Sequence, residues 1–460
     1  MIVTLLMIAG ILYLALQLED KLRIPSPLGL IALSFAAHYT FQQVPVLTGD
    51  AEHFATLVVF LLPILLISDS LEIKLSDLKE HGLSLLYLAV VAVVLSIVMA
   101  LLISNWLFAD VTLSSAAVIV LFAMVLATDP VSVVSIFSKF ELPHRLKILA
   151  EGESLFNDAT ALIVFVFIGL YVLDGGILTT GYVAEISSAV VFGSVAVGVV
   201  IGFIGLSVMK TTENRIAELM VLIITGYGAF EVSEHFFVLL NMLGGHSHLH
   251  LSGILSCIFA TITVNHVMTQ AMAEENYQID RDEAELQFEA QNRDTSSSVI
   301  GNMLRRIKAT LEERERHLRT KEDVQLLAIV ANTILFVAMA EMIDLHLLWT
   351  YKVDILAMFL ATTLIRGVMM GIFAWITTRT DKMANVGFRW WGVLTFAGIK
   401  GGLSIVMLTM IPASFEYLEM FKAVVTGVIV LSTFTYSGAL LIIIGSNKAR
   451  FLLEKSEEHS

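Results

Sequence analysis

Apolar residues run along this chain in long unbroken stretches separated by short polar connections. Thirteen such stretches stand out, at about 3–17, 24–41, 54–70, 83–106, 112–138, 144–173, 183–209, 216–240, 249–270, 325–347, 353–378, 388–411 and 420–445. Several reach the length of about 18 residues or more that a helix needs to cross about 30 Å of hydrocarbon. Their hydrophobicity is continuous rather than alternating, which predicts helices and not barrel strands. The first stretch lacks the basic flank and small-residue cleavage site of a secretory signal, so a spanning helix is expected there. The expected fold class is an all-α polytopic membrane protein with about 13 transmembrane helices. Its parts are a first membrane segment over 1–270, a charged cytoplasmic loop over 271–323, a second membrane segment over 324–447 and a short cytoplasmic tail over 448–460.

Charge placement orients these spans. Of 28 Lys and Arg residues, 24 fall in the odd-numbered connections and the tail, whereas the even-numbered connections hold only Lys352 and Lys422. Positive charge favours the cytoplasmic side. The N-terminus is therefore expected outside and the C-terminus inside. The remaining two, Arg366 and Lys400, lie within predicted spans, where a charge is costly and faces protein or an ion path.

Composition narrows the class further. The chain has 460 residues, 57% of them apolar and only 15% charged, against about one quarter charged in soluble domains. A net charge of −14 argues against a nucleic-acid partner. A single cysteine, Cys257, rules out an internal disulfide and a multi-cysteine metal site. No Walker or dinucleotide loop is present, so transport driven by ATP is unsupported and ion gradients are the expected energy source.

Three polar groups interrupt the apolar runs. The first is Ala127-Thr128-Asp129-Pro130. Pro130 lacks an amide hydrogen, and Thr128 and Asp129 can bond freed backbone groups, which together predict a broken helix. Such a break exposes carbonyls and partial charges near mid-membrane and suits a small ion. The plainer alternative is a kinked packing helix whose second half is capped by Asp129; both can hold together.

The second group is the run Glu151 to Thr160. Ser154 and Asp158 share a helix face with Glu151, while Glu153 and Asn157 share the neighbouring one. Asp158 precedes an apolar stretch to Val172 and should sit one to two turns inside the membrane. Desolvation there favours the protonated acid and a bound cation favours the carboxylate, so proton and cation compete. The alternative is a neutral acid used for packing. Arg366 needs a buried anion, and Glu153 is the candidate by elimination if Asp158 is to titrate freely; a snorkelling or packing arginine is the other reading.

The third group is Phe396 to Ser404, with Gly398, Gly401 and Gly402 around Lys400. Three glycines within five residues weaken a helix, and a second break is expected seven spans after the first. That spacing fits six-helix inverted repeats about one linker span. Lys400 then offsets the partial negative charge of facing helix C-termini, or that of Asp129. Ordinary small-residue packing is the alternative for the glycines.

Residues Ala127–Pro130, Glu153–Asp158 and Gly398–Ser404 together resemble monovalent cation:proton antiporter family one, which holds the bacterial P-type Na⁺/H⁺ antiporters and the animal sodium/proton exchangers. Ser252-Gly253-Ile254-Leu255 extends the resemblance. The resemblance implies that Asp158 binds the ion and exchanges the proton, that Asn157 marks an electroneutral branch, that Thr128 and Asp129 form the unwound segment, and that Glu153 and Arg366 are a buried structural pair. It also implies a homodimer and elevator-like alternating access. Two departures stand out. Lys400 replaces the family's usual arginine. The third span has Leu62-Pro63-Ile64 and then Ser68-Asp69-Ser70 instead of a proline pair and a membrane glutamate.

The function expected from residues and resemblance together is exchange of Na⁺, with Li⁺ as a further candidate cation, for H⁺ in the cell inner membrane, with no cofactor and no enzymatic activity. A K⁺/H⁺ antiporter and a gated cation channel are the rivals. The long connection 271–323 reads as a solvated charged hairpin, or as a regulatory or partner-binding element, with helical periodicity over 299–323. His246, His248 and His250 form a run at spacing two in an outside connection, either a plain surface loop or a weak divalent-metal or pH-sensing candidate.

Overall fold

The computed structural model describes residues 2–22, 25–40, 51–108, 111–242, 251–291, 297–341, 343–380, 383 and 385–458. Among the described residues there is helix but no strand. Each of the thirteen apolar stretches carries at least one helix among the described residues. Nine helical stretches among the described residues are long and apolar enough to cross a membrane. Ser26–Thr40 is not among them at 15 residues. The 388–411 stretch is not because it is split into Phe388–Phe396 and Gly402–Thr409.

The chain divides into two compact units. The first comprises Met1–Leu62, Ser76–Val190 and Val330–Ser460; the second comprises Pro63–Leu75 and Val191–Ile329. In the first unit, Ser115–Leu126 is the central helix. Every residue from Ala116 to Leu126 is buried. A helix that is apolar on all faces belongs inside a bundle, and this one has no polar stripe to turn outward. Lys352–Thr377 is two-sided in the opposite sense from a soluble helix. Leu356, Leu360 and Leu364 point outward, whereas Arg366, Met370 and Phe373 are buried. Apolar residues outside and a cation inside is the pattern that lipid imposes. π-Helical turns interrupt two long helices of this unit, at Tyr87–Val91 and Val164–Leu170.

In the second unit, Arg215–Glu234 packs on Gly253–Gln291. Small residues let helices approach closely here: a Cβ on Gly198 would meet the Ser256 Cα at 3.0 Å. Ser252 donates its backbone N–H to Ser194 Oγ at 2.8 Å, and Ser256 Oγ donates to the Ser194 carbonyl at 2.8 Å. Glu234 Oε1 accepts the Gly253 N–H at 2.8 Å and so caps that helix. Cys257 is buried and unpaired with any other cysteine.

The segment 271–323 is helical in its described residues. Gly253–Gln291 has 39 residues and Ser297–Glu341 has 45. At 1.5 Å per residue each is roughly 60 Å or more, about twice the hydrocarbon thickness. The charged halves are therefore continuations of apolar helices, built on strong helix formers and i,i+4 pairs such as Lys308–Glu312 and Glu315–Arg319.

Candidate functional site

The first break lies between Ser115–Leu126 and Pro130–Phe137. Ala127 has an extended backbone (ψ 142°), and Asp129 (φ −108°, ψ 102°) serves as N-cap of the second half with Pro130 at its first turn. Asp129 Oδ1 accepts the Val131 N–H at 3.2 Å, and Oδ2 accepts from Ser132 Oγ. Both oxygens of Asp129 are thus used locally. Capping by Asp129 is expected from the sequence; the side-chain contact from Ser132, three residues on, is not.

The second break separates Phe388–Phe396 from Gly402–Thr409. The two breaks touch: the Asp129 N–H donates to the Ile399 carbonyl at 2.7 Å. Gly398 and Gly401 sit where no side chain fits. A Cβ at Gly401 would lie 2.6 Å from Asp129 Cβ, and one at Gly398 would collide with the Arg366 guanidinium. Gly402 differs, since a Cβ there would meet only Leu335 Cδ1 at 3.7 Å.

His144–Ile163 supplies the residues that face the first break. Asp158 is 7% exposed, and its Oδ1 accepts the Thr128 N–H at 2.8 Å. Asn157 Nδ2 donates to the Leu126 carbonyl at 2.9 Å and to Thr128 Oγ1 at 3.4 Å. Asn157 Oδ1, Ser154 Oγ and Ser404 Oγ are buried and have no hydrogen-bond partner among the described residues. Unpartnered buried oxygens are costly unless something occupies the space beside them.

Two cations stabilise the broken ends. Lys400 Nζ lies 3.5 Å from the carbonyl of Leu126, the last residue of the first half-helix. Arg366 donates Nη1 and Nη2 to Glu153 Oε1 and Oε2 at 2.9 and 2.7 Å. It also donates Nε to the Thr395 carbonyl and Nη2 to the Leu394 carbonyl, each at 2.9 Å. Both carbonyls belong to the last turn of Phe388–Phe396. A cation at a helix C-terminus offsets the partial negative charge of its free carbonyls. Each half-helix that ends at a break therefore meets a buried cation, and the Glu153–Arg366 fork is bidentate.

The structure thus brings Thr128, Asp129, Pro130, Glu153, Asn157, Asp158, Arg366, Gly398, Lys400 and Gly401 into one region of the first unit. Asp69 belongs to the second unit. His246, His248 and His250 lie outside the described residues.

Comparisons with known proteins bear on family and fold. The sequence profile described as sodium/hydrogen exchanger, transmembrane, matches residues 3–281. The Na(+)/H(+) antiporter NhaH of Halobacillus dabanensis is 25% identical over 269 residues, 56% of this chain and 62% of that protein. The Na(+)/H(+) antiporter ApNhaP of Aphanothece halophytica is 24% identical over 377 residues, covering 81% of this chain and 60% of that protein. The chain thus spans about three fifths of the length of these two relatives. Among solved structures, the sodium proton antiporter MjNhaP1 of Methanocaldococcus jannaschii matches with a TM-score of 0.65 at 16% identity, over 98% of this chain and 99% of that one. That likeness is one of fold.

Proposed function

The chain belongs to the sodium/hydrogen exchanger family, and from that premise we propose that it is a secondary transporter exchanging Na⁺ for H⁺. The observation that carries the reading is Asp158: a buried carboxylate facing a helix break, with one oxygen on the Thr128 amide and unpartnered Asn157 and Ser154 oxygens on its own helix. In the proposed cycle Asp158 binds the cation with Thr128, Asn157 and backbone oxygens of the break, and Asp129 shapes that break. The bundle moves, and Asp158 releases the cation as it takes one proton. Proton and cation alternate on one carboxylate, so neither crosses without the other. Electroneutral exchange, an elevator-like movement and a homodimer are further parts of the proposal, supported by the family. Thirteen spans in two six-helix inverted repeats is the proposed topology, with the N-terminus outside and the C-terminus inside the cell inner membrane. Two breaks seven predicted spans apart support it.

The test is flux in proteoliposomes. Wild-type protein should couple Na⁺ gradients to proton movement, and Asp158→Asn should abolish it. Parallel runs with Li⁺ and K⁺ define the cation. Wild-type rates in the Asp158→Asn protein would sink the mechanism, and a steady current at fixed potential without coupled proton flux would mark a channel instead.

A further inference from the structure

The second unit holds a group of ionisable side chains that the exchange cycle does not use. Glu218, in the first turn of Arg215–Glu234, is completely buried. Its Oε2 accepts from Arg316 Nε at 2.8 Å, and its Oε1 pairs with His317 Nδ1 at 2.6 Å. Arg316 Nη1 also donates to the Glu213 carbonyl at 3.2 Å. Beside His317 stand Glu275, from Gly253–Gln291, and Glu313, one turn earlier on the same helix as His317. One ligand atom from each of Glu275, Glu313 and His317 lies within 4.8 Å of the other two.

Glu275 makes this group unusual. It is 8% exposed, and its Oε2 is buried with no hydrogen-bond partner among the described residues. A buried carboxylate oxygen without a donor is expensive, and a second carboxylate nearby adds repulsion. A bound cation removes both costs. The histidine is already set for that role. Its Nδ1 is engaged by Glu218, which leaves Nε2 as the ring atom free to carry a lone pair. A carboxylate behind the ring fixes orientation and raises ligand basicity, the usual support for a metal-binding histidine.

We propose that Glu275, Glu313 and His317 form a binding site for one divalent transition-metal ion of the zinc or manganese class. Two carboxylates and an imidazole suit those ions better than Mg²⁺, which prefers oxygen alone and keeps its waters. Three protein ligands leave a position for water. Glu313 is about half exposed and gives the ion a route from solvent. Its present neighbour, Arg316 Nη2, is 3.6 Å away, too far for a hydrogen bond, so Glu313 can turn to the metal at little cost. The bound ion would tie Gly253–Gln291 to Ser297–Glu341 beside the charged helical extensions.

The experiment uses the full chain with any affinity tag removed and with His246, His248 and His250 changed to Ala, so that the histidine run cannot contribute. Equilibrium dialysis against Zn²⁺, and separately Mn²⁺, in excess Mg²⁺ should show one bound ion per chain. Glu275→Gln and Glu313→Gln should each weaken binding by about tenfold or more. At equal Zn²⁺ the thermal midpoint should rise more in the parent than in Glu313→Gln, a change at a half-exposed side chain. Either variant binding at the parent's affinity overturns the proposal, as does a parent that retains neither Zn²⁺ nor Mn²⁺.

Discussion

The Asp129 N–H donates to the Ile399 carbonyl at 2.7 Å, so each helix break satisfies a backbone group of the other. Gly401 permits that approach. A Cβ on Gly401 would stand 2.6 Å from Asp129 Cβ and 3.2 Å from its Cα, and neither atom is the loose end of a flexible side chain. The next glycine has ordinary space, with Leu335 Cδ1 3.7 Å from a Cβ on Gly402. Gly401→Ala should therefore push the two breaks apart, cost about 1–3 kcal/mol and remove exchange activity. Gly402→Ala should be nearly neutral in both respects. Thermal unfolding in detergent and proton flux in proteoliposomes check the pair. A Gly401→Ala protein with parental stability and flux would show that contact between the breaks is dispensable.

Arg366 holds more than a salt bridge. It joins both oxygens of Glu153 to the Leu394 and Thr395 carbonyls. Arg366→Met strands a buried carboxylate and two helix-end carbonyls together, and a loss of about 3–5 kcal/mol is expected. Glu153→Gln leaves the guanidinium its two carbonyls and an amide oxygen, so its cost should be smaller. Arg366→Lys keeps the charge but loses the fork and should fall between them. Denaturation midpoints give the ranking. A Glu153→Gln protein less stable than Arg366→Met would mean that the helix-end contacts contribute little.

Much of this was legible in the sequence because its signals were local. Long apolar runs marked the helices. Pro130 marked one break, and the glycines around Lys400 marked the other. Asp158 stood out as an acid ahead of an apolar stretch, and Arg366 as a cation in need of a buried partner. The carbonyls of Leu126, Leu394 and Thr395 were not legible, because every residue carries the same carbonyl and only the tertiary path brings these to Lys400 and Arg366. The glycines looked alike, yet Gly401 is in a tight contact and Gly402 is not. Residues 271–323 read as a solvated hairpin because charge dominates there. Their helices are long because strong helix formers and i,i+4 pairs carry each helix on beyond its apolar part. The grouping of Glu218, Glu275 and His317 depends on three segments far apart in sequence, and no spacing rule announces it.

The last prediction concerns competition at Asp158. Its Oδ1 already accepts the Thr128 N–H at 2.8 Å, and among the described residues this is its one hydrogen bond. Asp129, by contrast, spends both oxygens on Val131 and Ser132. One available carboxylate means that a proton and a cation bind the same group and exclude each other. Lowering pH on the Na⁺ side should therefore raise the apparent KM for Na⁺, approaching about tenfold per pH unit, the limit for one proton displaced by one cation. Saturating Na⁺ should restore the maximal rate, because the proton is displaced rather than the transporter inactivated. Initial rates of Na⁺ uptake into proteoliposomes, taken over a grid of Na⁺ concentration and external pH, measure both quantities. A maximal rate that falls with acid at constant KM would place the proton on a different group. It would also remove the reason to assign Asp158 both ions.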